Sequence, residues 1–183
     1  MTTIVAVSKN GMVTMGADSQ VTDGDRPNMH PRMEKISKIN GWLIGGSGDV
    51  TPCDILQYIF IPPVPTITER KDLYKFMITK FVPAMRDCLE DNGYKPDSKD
   101  PDSGFSFLFA FDGEVFDISS EFSVLMNSDG IYGVGNGAKF AIGALCVGAS
   151  VQEALEAAAK NDIYTSGPFQ IVEQKKHMIP KKP

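Results

Sequence analysis

Residues 2–22, "TTIVAVSKNGMVTMGADSQVT", decide how the chain is read. Two β-rich runs, Thr3 to Val7 and Met12 to Ala17, flank "KNG" at Lys9 to Gly11, and an Asn-Gly pair between such runs predicts a tight hairpin. In the first run Ile4 and Ala6 alternate with Val5 and Val7, which gives the strand two distinct faces. Directly ahead stands Thr2. If Met1 is removed, Thr2 carries a hydroxyl and a free α-amine on one residue, a nucleophile beside a base. A threonine hydroxyl is a poor nucleophile at neutral pH, and an N-terminal amine titrating near about 8 can take its proton directly or through water. Threonine in second place is a residue that methionine aminopeptidase generally permits, and no longer propeptide is expected. Taken alone, an "MTT" start also reads as the first residue of a strand, because β-branched residues suit strands.

The remaining residues bound the class. The 183 residues are expected to form one domain, 1–183, with a sizeable core. A net charge of -5 disfavours nucleic acid or an anionic membrane as the main partner. No apolar run approaches the roughly 20 residues that span a bilayer, and no basic segment followed by an apolar one opens the chain, so a cytoplasmic protein is expected. Cys53, Cys88 and Cys146 are widely spaced, with only His30 and His177 as companions, which suggests neither disulfides nor a zinc site. No metal or cofactor is expected.

Beyond the first hairpin, "DGDRPNMHPR" (23–32) reads as a loop, and "KISKIN" and "WLIGGSGD" read as strands around Asn40-Gly41. Helix is predicted from Thr51 through Tyr58, with Asp49 or Thr51 as N-cap, ending before Pro62, Pro63 and Pro65. A second helix is predicted over about 70–89, since Leu73, Phe76, Met77, Phe81, Met85 and Leu89 recur at helical spacing, with a kink at Pro83. Residues 93–104 are polar loop. Residues 105–127 read as strand, Asp-Gly turn and strand, 139–147 and 151–161 as helices, and 166–176 as a last strand. Helices packed on antiparallel sheets suit this order.

Six segments, "TTIVAV", "MGADSQVT", "KISKIN", "GGSGD", "GVGNGAKFA" and "NDIYTSG", occur in the order and approximate spacing of proteasome β subunits and HslV. Over nearly its whole length the chain resembles this family of N-terminal nucleophile (Ntn) hydrolases. The resemblance implies an α+β fold, a four-layer αββα sandwich in which two antiparallel sheets lie between helical layers. It makes Thr2 the nucleophile of a threonine-type endopeptidase. Asp18 and Lys35 match the acidic and basic partners of that nucleophile, a buried pair in which Lys35 favours the alkoxide and Asp18 holds the lysine charged. Lys38 competes for the basic role, although "KISKIN" aligns better with its first lysine in the catalytic place. Gly45 or Gly46 in "GGSGD" is implied as oxyanion donor, and Asp162 and Thr165 as supports for the threonine and its amine.

One position departs from the pattern: Asn136 stands where relatives usually carry a serine that relays protons. An amide hydrogen-bonds but cannot pass a proton by rotating as a hydroxyl does. A catalytically inactive homologue with a structural or assembly role is therefore the alternative, with Asn136 and a retained Met1 as its discriminating features. An amidohydrolase acting on a small amide is a third. The family further implies a homo-oligomeric ring, an ATP-driven unfoldase as partner, peptide or unfolded protein as substrate, and a pocket lined near positions 20, 32 and 46–50.

Overall fold

Three turn pairs set the sheets. In the computed structural model, which describes residues 2–23, 26–29, 34–95 and 104–176, Asn10-Gly11, Asn40-Gly41 and Asp112-Gly113 all take positive φ, from 50° to 86°. That is the backbone a two-residue turn needs to match the twist of its strands. They join β1 (Thr3–Lys9) to β2 (Met12–Ala17), β5 (Ile36–Ile39) to β6 (Trp42–Gly48), and β7 (Phe105–Phe111) to β8 (Glu114–Ser119). The other strands are β3 (Gln20–Asp23), β4 (Arg26–Met29), β9 (Val124–Leu125), β10 (Ile131–Gly135) and β11 (Gln170–Lys175). One antiparallel sheet runs β10-β1-β2-β11 and the other β5-β6-β7-β8-β9, while β3 and β4 form a separate hairpin. The described residues of 23–32, Asp23 and Arg26–Met29, are strand, contrary to the reading from composition. A two-stranded ribbon leaves each strand an open edge, where Pro27 opposite Thr22 is tolerated.

Strand alternation sorts side chains into layers. Ile4, Ala6, Val13, Met15, Leu43, Leu108, Ala110 and Val134 fill the space between the sheets. Val5 faces the other way, against Ala141, Leu145, Val151, Leu155 and Ala158 of α4 (Ala138–Cys146) and α5 (Val151–Asn161). Ser150 and Glu153 close α5 with a capping box. Gly16 is required here, because a Cβ would strike Val151 and Leu155. On the outer face of the second sheet, Phe105, Phe107, Phe109 and Phe111 alternate out of β7 toward the remaining helices. Burying each such ring contributes about 1.5–3 kcal/mol.

The helices on that face differ in detail from their sequence reading. The first, α1 (Val50–Asp54), passes into a π-type turn over Ile55–Ile59 and stops at Phe60. Asp49 occupies its N-cap position without capping it; its carboxylate instead accepts from the Tyr94 hydroxyl at 2.9 Å and the Gly104 N–H at 3.1 Å. The predicted 70–89 helix is a 3₁₀ turn at Glu69–Lys71, then α2 (Leu73–Phe76), a π-type stretch over Met77–Phe81 and α3 (Val82–Asp91). Pro83 has no N–H to donate, and the change of helix type just ahead of it absorbs the missing bond. The predicted stripe from Leu73 to Leu89 is buried throughout, and the Phe81 ring lies tilted against Trp42 with their centroids 4.5 Å apart. Helices therefore flank the two sheets on both outer faces, as the four-layer reading requires. No helix among the described residues is long and apolar enough to cross a membrane.

Candidate active site

The site forms where β1 begins. Thr2 is half-buried, and its carbonyl accepts the backbone N–H of Asn136 at 2.9 Å. On the other side of the same peptide bond, the Thr3 N–H donates to Asp18 Oδ1 at 2.8 Å. The Thr2–Thr3 peptide is thus held at both its polar atoms. Asp18 follows β2 directly, and its own N–H returns to the Thr3 carbonyl at 3.1 Å.

Asp18 and Lys35 form a buried ion pair, with Lys35 Nζ 2.7 Å from Asp18 Oδ1 and 2.6 Å from the carbonyl oxygen of Gln20. The second Asp18 oxygen accepts the Gln20 N–H at 3.0 Å. Burial pushes the Asp18 carboxyl up and the Lys35 ammonium down, and their mutual attraction opposes both shifts. Lys38, the competitor, is exposed on β5.

Asp162 and Thr165 lie just beyond α5, and the structure brings them to Thr3. Thr165 Oγ1 donates to Asp162 Oδ2 at 2.5 Å and lies 2.6 Å from Thr3 Oγ1, which also receives the Gly137 N–H at 3.0 Å. Gln20 Nε2 bonds the Ile163 carbonyl at 3.0 Å, and the Ser19 N–H bonds that of Ser166 at 3.1 Å, so this turn is tied to the segment carrying Asp18. Asn136 reaches Thr2 through its backbone, and its side chain is exposed. The sequence reading gives Thr3 no role and position 20 only a place in the pocket lining; the only signal for Thr3 is a second threonine beside the first.

A pocket beside Thr2 is lined by Val21, Lys35, Gly46, Gly48, Cys53 and Gln57, among others. Position 32, expected to line it, and Met1 lie outside the described residues. The two candidate glycines differ. Gly45 pairs with both Ile36 on β5 and Leu108 on β7, and a Cβ there would meet Ile4 and Met15 between the sheets. Gly46 lies one residue past the end of the β5 ladder, so from there to Gly48 the edge of β6 is not covered by β5. Gly46 must lack a side chain because the Phe107 ring lies over it.

Burial first, then the nearby Asp54 and Asp49, push the Cys53 thiol up to about 12. The expected outcome is that iodoacetamide at pH 8 alkylates the exposed Cys146 while leaving Cys53 as the thiol, because the thiolate is the reactive form. Peptide mass mapping reads this, and Cys53 labelling should appear only in strongly alkaline solution.

No protein-family model and no curated protein matches the sequence. Solved structures do match its fold. BPH from Thiobacillus denitrificans, solved also in complex with epoxomicin, superposes with a TM-score of 0.73 at 18% identity, over 98% of this chain and 100% of that one. Eukaryotic HslV from Trypanosoma brucei gives 0.63 at 20% identity, over 94% and 99%, and Anbu, an ancestral β-subunit from Yersinia bercovieri, gives 0.67 at 12%, over 94% and 81%. The chain has the Ntn hydrolase fold shared by these proteasome-type β subunits.

Proposed function

We propose that the protein is a threonine-type endopeptidase whose nucleophile is Thr2, exposed as the N-terminal residue by loss of Met1. The observation that carries this reading is the anchored Thr2–Thr3 peptide beside the Asp18–Lys35 pair and a pocket. The Thr2 hydroxyl attacks a peptide carbonyl as its proton passes to the Thr2 amine, with Lys35 lowering the energy of the alkoxide. Backbone groups of β6 from Gly46 onward stabilise the oxyanion. The amine then protonates the leaving nitrogen, and water hydrolyses the Thr2 ester, regenerating hydroxyl and amine. Asp162 and Thr165 act on this centre through Thr3. By likeness to HslV and Anbu, we assign the chain to a homo-oligomeric ring fed with unfolded protein by an ATP-driven unfoldase in the cytoplasm.

Intact mass before and after treatment with an epoxyketone tests the reading. Chains beginning at Thr2 should gain one inhibitor mass, mapped to the Thr2 peptide. Chains that keep Met1 in the native source and gain no mass would overturn it.

Asn136 favours a second reading, a catalytically silent homologue with an assembly role, because no hydroxyl stands at that position. Its contact with Thr2 runs through the backbone, so on the peptidase reading Asn136→Ser changes kcat by no more than about threefold. A rise from background to measurable hydrolysis on that substitution would support the silent homologue.

A further inference from the structure

Thr3 is completely buried at the first position of β1, and its hydroxyl has partners from two distant parts of the chain. The Gly137 N–H donates into Thr3 Oγ1. Thr165 has committed its only proton to the Asp162 carboxylate, so in the 2.6 Å contact between the two hydroxyls Thr3 is the donor. The chain of bonds therefore has one direction, from Gly137 N–H through Thr3 and Thr165 to Asp162. No side chain fits at Gly137, where a Cβ would fall among Thr3 Oγ1, Thr165 Oγ1 and Asp162 Oδ2. Next to Gly137 is Asn136, whose N–H holds the Thr2 carbonyl.

We propose that Thr3 is a positioning residue for Thr2, an inference that rests on the peptidase reading. Its hydroxyl fastens the Asn136–Gly137 turn to the 162–165 turn, so that two carboxylates fix one peptide plane. Asp18 acts through the Thr3 N–H, and Asp162 acts through the Thr3 hydroxyl. The plane of the Thr2–Thr3 peptide sets the direction in which the Thr2 side chain leaves the backbone. Valine matches threonine in shape but leaves the Gly137 N–H and Thr165 Oγ1 without their partner, whereas serine keeps the hydroxyl.

The test compares Thr3→Val, Thr3→Ser and Thr165→Val in the full chain, with peptide hydrolysis and amide hydrogen exchange as readouts. Thr3→Val should lower kcat about 10- to 100-fold with KM within about twofold, since misorientation at the reacting atom acts on the chemical step. Exchange at Asn136 and Gly137 should quicken in the same variant. Thr3→Ser should restore both, which a purely space-filling role would not produce. If Thr3→Val fails to fold, Thr165→Val cuts the same chain of bonds and should show the same drop in kcat and the same exchange. Wild-type kcat and protection in Thr3→Val, or a Thr3→Ser as slow as Thr3→Val, would overturn the inference. Should Thr2→Ala hydrolyse peptide like the wild type, the nucleophile assignment fails, while the exchange measurement still decides the role of Thr3.

Discussion

Thr2→Ala is expected to bring peptide hydrolysis down by at least about 10³-fold while leaving the fold intact. The loss is large because the substitution removes the attacking oxygen itself, and on the proposed reading hydroxyl and base belong to one residue. The fold should survive because the bonds at this residue run through its backbone carbonyl and the following N–H, both of which alanine keeps. Stability should change by no more than about 1 kcal/mol, the range for a half-buried side chain without a packing role. Thr2→Ser should retain activity and epoxyketone labelling. Hydrolysis by Thr2→Ala at the wild-type rate would remove the peptidase reading at its root.

Lys35→Met is expected to act on stability and catalysis together. Among the described residues it leaves the buried carboxylate with the N–H groups of Thr3 and Gln20, and breaking a buried pair on one side costs about 3–5 kcal/mol. The pH dependence has a defined sign. Burial already pushes Asp18 up, and without Lys35 its strongest opponent is gone. A carboxyl raised in the folded state above its unfolded value binds more protons when folded, so its contribution is fully present below the unfolded pKa near about 4. That contribution is lost as pH rises through the folded value. Lys35→Met should therefore grow less stable from about pH 4 toward neutrality, which denaturant titrations across pH will show. Adding Asp18→Asn should recover much of the stability and none of the hydrolysis, separating the structural cost of the pair from its chemical use. A stable Lys35→Met that hydrolyses like the wild type would exclude Lys35 from the chemistry.

The parts of the fold that sequence revealed are those fixed by neighbours along the chain. Asn10-Gly11, Asn40-Gly41 and Asp112-Gly113 announce hairpins because few other pairs accept two successive positive φ values. The stripe from Leu73 to Leu89 announces a helix by its spacing alone. What local pattern could not show is where distant segments meet. The β4 strand lies in a stretch whose Gly, Pro and Asp content argues for loop, and it forms because β3 offers an edge to pair with. The side chain of Asp49 looks like a helix cap, and long-range partners at Tyr94 and Gly104 take it instead. At the site, Asp18, Lys35, Asp162 and Thr165 came from resemblance, while the delivery of Thr165 to Thr3 depends on a contact across 162 positions in sequence. The contrast between Gly45 and Gly46 was also out of reach, because it turns on where the β5 ladder ends.

The anchoring of the Thr2–Thr3 peptide has a consequence for how such a centre is switched on. Its bonds use the Thr2 carbonyl and the N–H, carbonyl and hydroxyl of Thr3, all on the C-terminal side of the Thr2 Cα. On the proposed reading, these bonds already hold the Thr2–Thr3 peptide in a chain whose Thr2 amine is still blocked, so the frame of a zymogen stands before its nucleophile is unmasked.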